Sequence, residues 1–154
     1  MNDKLISRAS EILASRAIGD YVEGNTGYYS TLALIDFDGY PTTTTISFSK
    51  SEGIRSLAFC TSLESNAAKR AQKNNRASVC VNSDGYHISL VGTIEILTDL
   101  PTKQEMWYGG LEEYFTGPED PNFCVLRFTT ERYNILIFEL GEEEFDTGKL
   151  TGES

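Results

Sequence analysis

The sequence predicts a mainly β fold, an antiparallel barrel with flanking helices. Three observations predict it. Seven segments carry strand patterning and only three carry helical patterning. The connections are short, which favours antiparallel neighbours. They are built from turn formers such as Asp38-Gly39 and Ser83-Asp84-Gly85. Many strands with few helices are accommodated by closing the sheet, which removes exposed edges. No repeat or second domain is visible, so residues 1–154 are expected to form one domain.

In order, Lys4 to Ile18 reads as an amphipathic helix, with Leu5, Ala9, Ile12 and Leu13 at helical spacing and Gly19 able to end it. Tyr21 to Tyr29, rich in Gly and Asn, reads as a loop. Thr31 to Phe37 is an apolar strand bounded by the Asp38-Gly39 turn. Thr42 to Phe48 follows Pro41; Thr42, Thr44, Ile46 and Phe48 share one face, and Thr43, Thr45 and Ser47 the other. Ser51 to Arg55 is a polar turn before the apolar strand Leu57 to Cys60. Glu64 to Asn74 is predicted as a helix whose Ala67, Ala68 and Ala71 permit close packing. Ala77 to Asn82 and Tyr86 to Leu97 form a hairpin, with Gly92 implying a bend or the close approach of another group. Thr102 with Glu105 reads as a capping box, opening a helix that carries Met106, Trp107, Leu111 and Tyr114. Phe123 to Thr129 and Tyr133 to Leu140 are expected as a last hairpin around Thr130-Glu131-Arg132. The acidic tail, 141–154, is expected to fray in part.

Composition narrows the function. A net charge of −10 argues against a nucleic-acid binder, whose affinity rests on cations. No segment is apolar enough to span a bilayer, and the N-terminus lacks a signal peptide's apolar block, so a cytoplasmic location is expected. Cys60, Cys80 and Cys124 lack metal spacing and are expected as buried free thiols. His87 is the single histidine, which rules out a site needing two imidazoles from one chain; no metal is expected.

One stretch carries chemistry. The strand Leu57 to Cys60 runs into Thr61-Ser62, then through Glu64-Ser65-Asn66 into a helix bearing Lys69 and Arg70. Strand, hydroxyl pair, helix start and cation together can hold a phosphate. Free N–H groups at a helix start carry partial positive charge, hydroxyls add donors, and a lysine adds the counter-charge. In an acidic chain, Lys69, Arg70, Lys73 and Arg76 also concentrate positive charge locally. A plainer reading fits the same residues: Ser65 as an N-cap, and Lys69, Lys73 and Arg76 as a solvated stripe.

Three stretches together resemble a known family. They are Asp36-Phe37-Asp38-Gly39-Tyr40-Pro41 with the threonine strand after it; Phe59-Cys60-Thr61-Ser62 through Ser65 and Lys69 to Asn75-Arg76-Ala77-Ser78-Val79; and Trp107 followed by Tyr114-Phe115-Thr116-Gly117-Pro118-Glu119-Asp120-Pro121-Asn122. Over residues 30–138 the chain resembles the pyridoxamine 5'-phosphate oxidase-like flavoproteins, the FMN-binding split-barrel family, and looks closest to its small general-stress-protein branch. Read on its own, Pro118 to Asn122 is a rigid helix-to-strand connection.

The resemblance implies a six- to seven-stranded antiparallel split barrel, FMN as cofactor, and a homodimer with the flavin at its interface. It implies that Thr61, Ser62 and Ser65 hold the phosphate, with Lys69 as cation, and that the isoalloxazine ring lies against Thr42, Thr43, Thr44 and Thr45. Trp107 would contact the flavin or the neighbouring subunit, or else serve as a core anchor. Many relatives carry a basic residue two positions after the serine; Ala67 stands there in this chain, so Lys69 or Arg70 must compensate. True pyridoxamine-phosphate oxidases grip flavin and substrate with a C-terminal tryptophan and arginines. After Leu140 this chain is acidic and offers only Lys149, which argues against pyridoxal-phosphate synthesis. The implied activity is an FMN-dependent oxidoreductase of unidentified substrate, with transient NADH or NADPH as donor and no Gly-rich dinucleotide fingerprint. The alternatives are a non-catalytic, stress-related protein holding flavin or haem, and a scaffold that has lost its ligand; the sequence leaves open whether a deazaflavin replaces FMN. A lone histidine disfavours haem.

Overall fold

The computed structural model describes residues 2–20, 29–139 and 142–150. Its strands are β1 (Tyr29–Ile35), β2 (Pro41–Glu52), β3 (Ser56–Ser62), β4 (Arg76–Ser83), β5 (Tyr86–Leu97), β6 (Phe123–Glu139) and β7 (Glu142–Lys149). Its helices are α1 (Asp3–Ser15), α2 (Asn66–Lys73) and α3 (Leu100–Met106). The sheet order is β3-β2-β1-β4-β5-β6-β7, and β3 also pairs with β6. Six strands therefore close an antiparallel barrel, as the sequence predicts, and β7 is added outside it. The loop expected at 21–28 lies outside the described residues. No described helix is long and apolar enough to cross a membrane.

The period-2 pattern fills the barrel. Val79 and Val81 of β4 and Ile88, Leu90 and Ile94 of β5 point inward and are buried. They meet Leu32, Phe48, Leu57, Phe59, Leu126, Phe128 and Ile135. α1 covers this core with Leu5, Ala9, Ile12 and Leu13, and α2 packs against it through Ala68 and Ala71. A second cluster lies on the other side of β3 and β6, where Ala58, Cys60, Phe123 and Val125 meet Met106 and Leu111. This second layer explains why Leu57 to Cys60 is apolar on both faces. Burial of each large side chain in these layers contributes roughly 1.5–3 kcal/mol.

Several expectations are corrected. No hairpin forms at Thr130 to Arg132; β6 runs straight through. Val91 pairs with Arg132 and Gly92 with Thr130, so Glu131 is an extra residue in a bulge. The polar run is a turn signal in sequence, yet Thr130 is buried and its Oγ1 donates to the Ile54 carbonyl at 2.6 Å. Gly92 permits the bulge, since a Cβ there would stand 1.9 Å from the Thr129 carbonyl oxygen. The tail does not fray within 142–149 but pairs with β6 from Glu139–Glu142 to Arg132–Lys149. Acidic residues suit an edge strand, and Tyr133 Oη ties it in by donating to Asp146 Oδ2 at 2.9 Å.

The capping box is also replaced. Asp99 caps α3, its Oδ2 accepting from Thr102 N at 3.1 Å and from Thr102 Oγ1 at 2.7 Å. The helix stops at Met106, because Trp107 is extended; Leu111–Glu113 is a separate 3-10 turn. Cys80, expected as buried, is half-exposed with Sγ 3.9 Å from His87 Nδ1, whereas Cys60 and Cys124 are buried. The first helix also ends at Ser15, before the expected Ile18, and Gly19 sits in a 3-10 turn where a Cβ would come 2.4 Å from the Ser49 carbonyl oxygen.

Candidate functional site

The barrel is split along one strand. β1 pairs with Pro41 to Ser47 of β2, while β3 pairs only with Phe48 to Glu52. Among the described residues Pro41 to Ser47 therefore has one edge without a strand partner, and alternate N–H and C=O groups of that run aim into the opening. β3 continues to Ser62 on the β6 side alone. A cavity of about 540 Å³ lies at this opening. Leu32, Leu34 and Ile46 give it an apolar wall; Thr42, Thr43, Thr44, Thr45, Thr61 and Ser65 give it hydroxyls; Asn66, Ala67 and Arg70 complete it. Both parities of the threonine run line the cavity because it wraps the open edge rather than one face.

The start of α2 is tightly specified. Ser65 caps the helix, its Oγ accepting from Ala68 N at 3.1 Å. Its hydroxyl hydrogen is left to donate elsewhere. Ser65 N donates to the Ser62 carbonyl at 3.0 Å, and Ser62 Oγ accepts from Glu64 N at 3.0 Å. The N–H groups of Asn66 and Ala67 have no acceptor among the described residues, as expected for the first turn of a helix. The two free N–H groups, the hydroxyls of Thr61 and Ser65, and Arg70 thus border one space. Among the described lining residues there is no carboxylate.

The structure brings Thr42, Thr43, Thr44, Thr45, Thr61 and Ser65 to one cavity, and leaves Ser62, Lys69 and Trp107 off it. Ser62 shapes the turn. Lys69 is exposed, with Nζ 3.7 Å from Glu64 Oε1. Trp107 stands in the second cluster, edge-on to Phe123 at 5.2 Å between centroids. Leu32, Leu34, Ile46 and Asn66 are lining residues that pattern alone does not single out. The helical spacing of Asn66 and Arg70, one turn apart, is the signal that pairs the last of them with a cation.

Behind β3 the Trp107 region is closed by a buried lysine. Lys103 is 5% exposed; Nζ donates to the Asp120 carbonyl at 3.0 Å and lies 5.8 Å from the Phe123 ring centroid. The Asp120 carboxylate accepts from Thr116 N and Asn122 N, and these bonds hold its pKa below the usual carboxylate range. Glu119 to Asn122 is thereby a braced connection. Burial pushes the Cys60 thiol up to about 12 and Cys124 to about 11, so neither is a nucleophile at neutral pH. Burial likewise raises Tyr108 to about 12.

Comparison with known proteins agrees with this architecture. The sequence profile of the family described as pyridoxamine 5'-phosphate oxidase matches residues 25–136, well over half of the chain. No curated protein matches. Among solved structures, a Clostridium acetobutylicum protein related to general stress protein 26 of B. subtilis superposes with a TM-score of 0.75 at 25% identity, over 97% of each chain. A pyridoxamine 5'-phosphate oxidase-related, FMN-binding protein from Nostoc punctiforme gives 0.65 at 17% identity, over 96% of this chain and 95% of that one. A heme-binding protein from Mycobacterium smegmatis gives 0.63 at 18% identity, over 93% of this chain and 58% of that one. The chain thus belongs to the pyridoxamine 5'-phosphate oxidase family, in its general-stress-protein branch.

Proposed function

We propose that the cavity at the barrel split binds FMN and that the protein is a flavin-dependent oxidoreductase. The observation that carries this reading is the pairing of an open, threonine-lined strand edge with the two free N–H groups in the first turn of α2. The donor set fits the group. N–H groups, hydroxyls and a guanidinium suit a phosphate dianion, while unpaired strand groups and threonine hydroxyls suit the polar edge of a flavin ring over an apolar wall of Leu32, Leu34 and Ile46. Bound flavin would supply the redox chemistry. This chain's residues bind and orient it: Ser65 and Thr61 at the phosphate end, Thr42 to Thr45 along the ring. Phe37 and Tyr40, at 61% and 68% exposure beside β2, suit contact with a second subunit, and we take the active form to be a homodimer.

Non-catalytic binding is the second reading, and the haem-binding relative gives it a precedent in the fold. Among the described lining residues none is His, Cys, Met or Tyr, so haem finds no axial ligand in this cavity. Titration with FMN and with haemin, followed by anaerobic addition of NADH or NADPH to the flavin complex, separates the readings. Tight FMN binding with bleaching on reduction is the expected result. Binding without bleaching by either donor leaves a flavin carrier, and haemin binding with no affinity for FMN removes the proposal.

A further inference from the structure

Building on the flavin reading, we infer that Arg70 is the cation that meets the phosphate, in place of the basic side chain that position 67 lacks. Arg70 and Asn66 are one helical turn apart on α2, and both line the cavity with Ala67 between them. Arg70 therefore borders the same cavity as the residues that carry the two free N–H groups. Ala67 is 9% exposed, and its methyl leaves space that a longer side chain would occupy. Lys69 lies on a different face, exposed and paired with Glu64 at 3.7 Å. Arg70 has no ion-pair partner among the described residues, and no described lining residue is acidic. An uncompensated cation thus faces neutral hydroxyls in a chain of net charge −10. Its planar fork can donate two parallel bonds to one phosphate, which a lysine cannot.

The competing role is local. Arg70 lies in the last turn of α2, where any cation stabilises the helix dipole. That role predicts a lower melting temperature for Arg70→Ala and no preference between phosphorylated and unphosphorylated ligands. The test measures FMN and riboflavin affinities by quenching of flavin fluorescence for wild type, Arg70→Ala, Lys69→Ala and the double variant Arg70→Ala/Ala67→Lys. Arg70→Ala is expected to weaken FMN about 10- to 100-fold while riboflavin changes less than about twofold. Lys69→Ala is expected to change either by less than about threefold. The double variant is expected to regain FMN affinity, its riboflavin binding reporting that it is folded. Equal losses for both ligands in Arg70→Ala, unchanged FMN binding there, or no regain in a riboflavin-competent double variant would each overturn the assignment. Wild type that binds neither ligand would instead remove the flavin reading, and Arg70's role with it.

Discussion

The two halves of β2 do different work. Phe48 to Glu52 pairs with β3, the Gly19 turn packs against the Ser49 carbonyl, and Phe48 and Ser49 are fully buried. Pro41 to Ser47 has one strand neighbour, and Thr43, Thr44 and Thr45 are exposed. One continuous strand is thus core at one end and open edge at the other. The composition follows the difference. Threonine keeps β-branched stiffness while tolerating water and offering a hydroxyl, so it holds strand geometry where no second partner enforces it. The lesson is that a polar, β-branched run leading into an aromatic marks where a barrel opens.

If the halves differ in this way, mutations in the buried half must cost stability. Phe48→Ala is expected to do most, because Phe48 is 0% exposed and stacks edge-on to Phe59 at 6.3 Å. A loss of about 3–5 kcal/mol in urea unfolding is expected; a loss below about 1 kcal/mol would break the comparison. Ser49→Ala is next. Ser49 Oγ donates to the Met106 carbonyl at 2.6 Å and secures the end of α3, with Cys60 Sγ at 3.3 Å the other donor. A thiol is a weak donor, so removing the hydroxyl leaves a buried carbonyl underserved, at about 1–3 kcal/mol.

Alkali probes the β3 and β6 strands behind that half. Burial raises Cys60 to about 12 and Cys124 to about 11, above the ordinary thiol range. Below the unfolded value both states keep the protons and the contribution to stability is complete. As pH rises from about 9 toward 12 the unfolded chain ionises first, so stability falls, by up to about 1.4 kcal/mol per pH unit for each thiol. Cys60→Ala should flatten the decline of the denaturation midpoint between pH 8.5 and 10.5. An unchanged slope would show that the β3 layer is wetter than the structure has it.

Much of this was legible before any coordinates. Period-2 alternation placed β4 and β5, and the Asp38-Gly39 and Ser83-Asp84-Gly85 turns set their neighbours, because those signals are local. Ser65 was readable as a cap for the same reason, and the structure has its Oγ bonded to Ala68 N. The Thr130-Glu131-Arg132 run misled because a bulge and a turn call for the same residue types, and only the strand opposite decides between them. β7 was missed since its pairing energy comes from β6, not from its own acidic sequence. The cavity itself joins residues 32–46 to residues 61–70. No periodicity reports that distance; the choice between Lys69 and Arg70 needed the helix to be docked.

The smallest expected effect on stability tests the open half most sharply. Thr44 is exposed, lines the cavity, and makes no side-chain hydrogen bond among the described residues. Thr44→Val keeps the shape and the β-branch and removes only the hydroxyl, so unfolding stability should stay within about 0.5 kcal/mol. Neighbouring Thr42 is the control within the run: its Oγ1 donates to the Leu34 carbonyl at 2.9 Å, so Thr42→Val should cost about 0.5–1.5 kcal/mol. If Thr44 serves the ring edge of a flavin, its valine variant should weaken FMN and riboflavin equally, since the group it meets is common to both. Weakening FMN alone would move Thr44 to the phosphate end. A stability loss larger than that of Thr42→Val would mean that the open edge is held by packing rather than kept for a ligand.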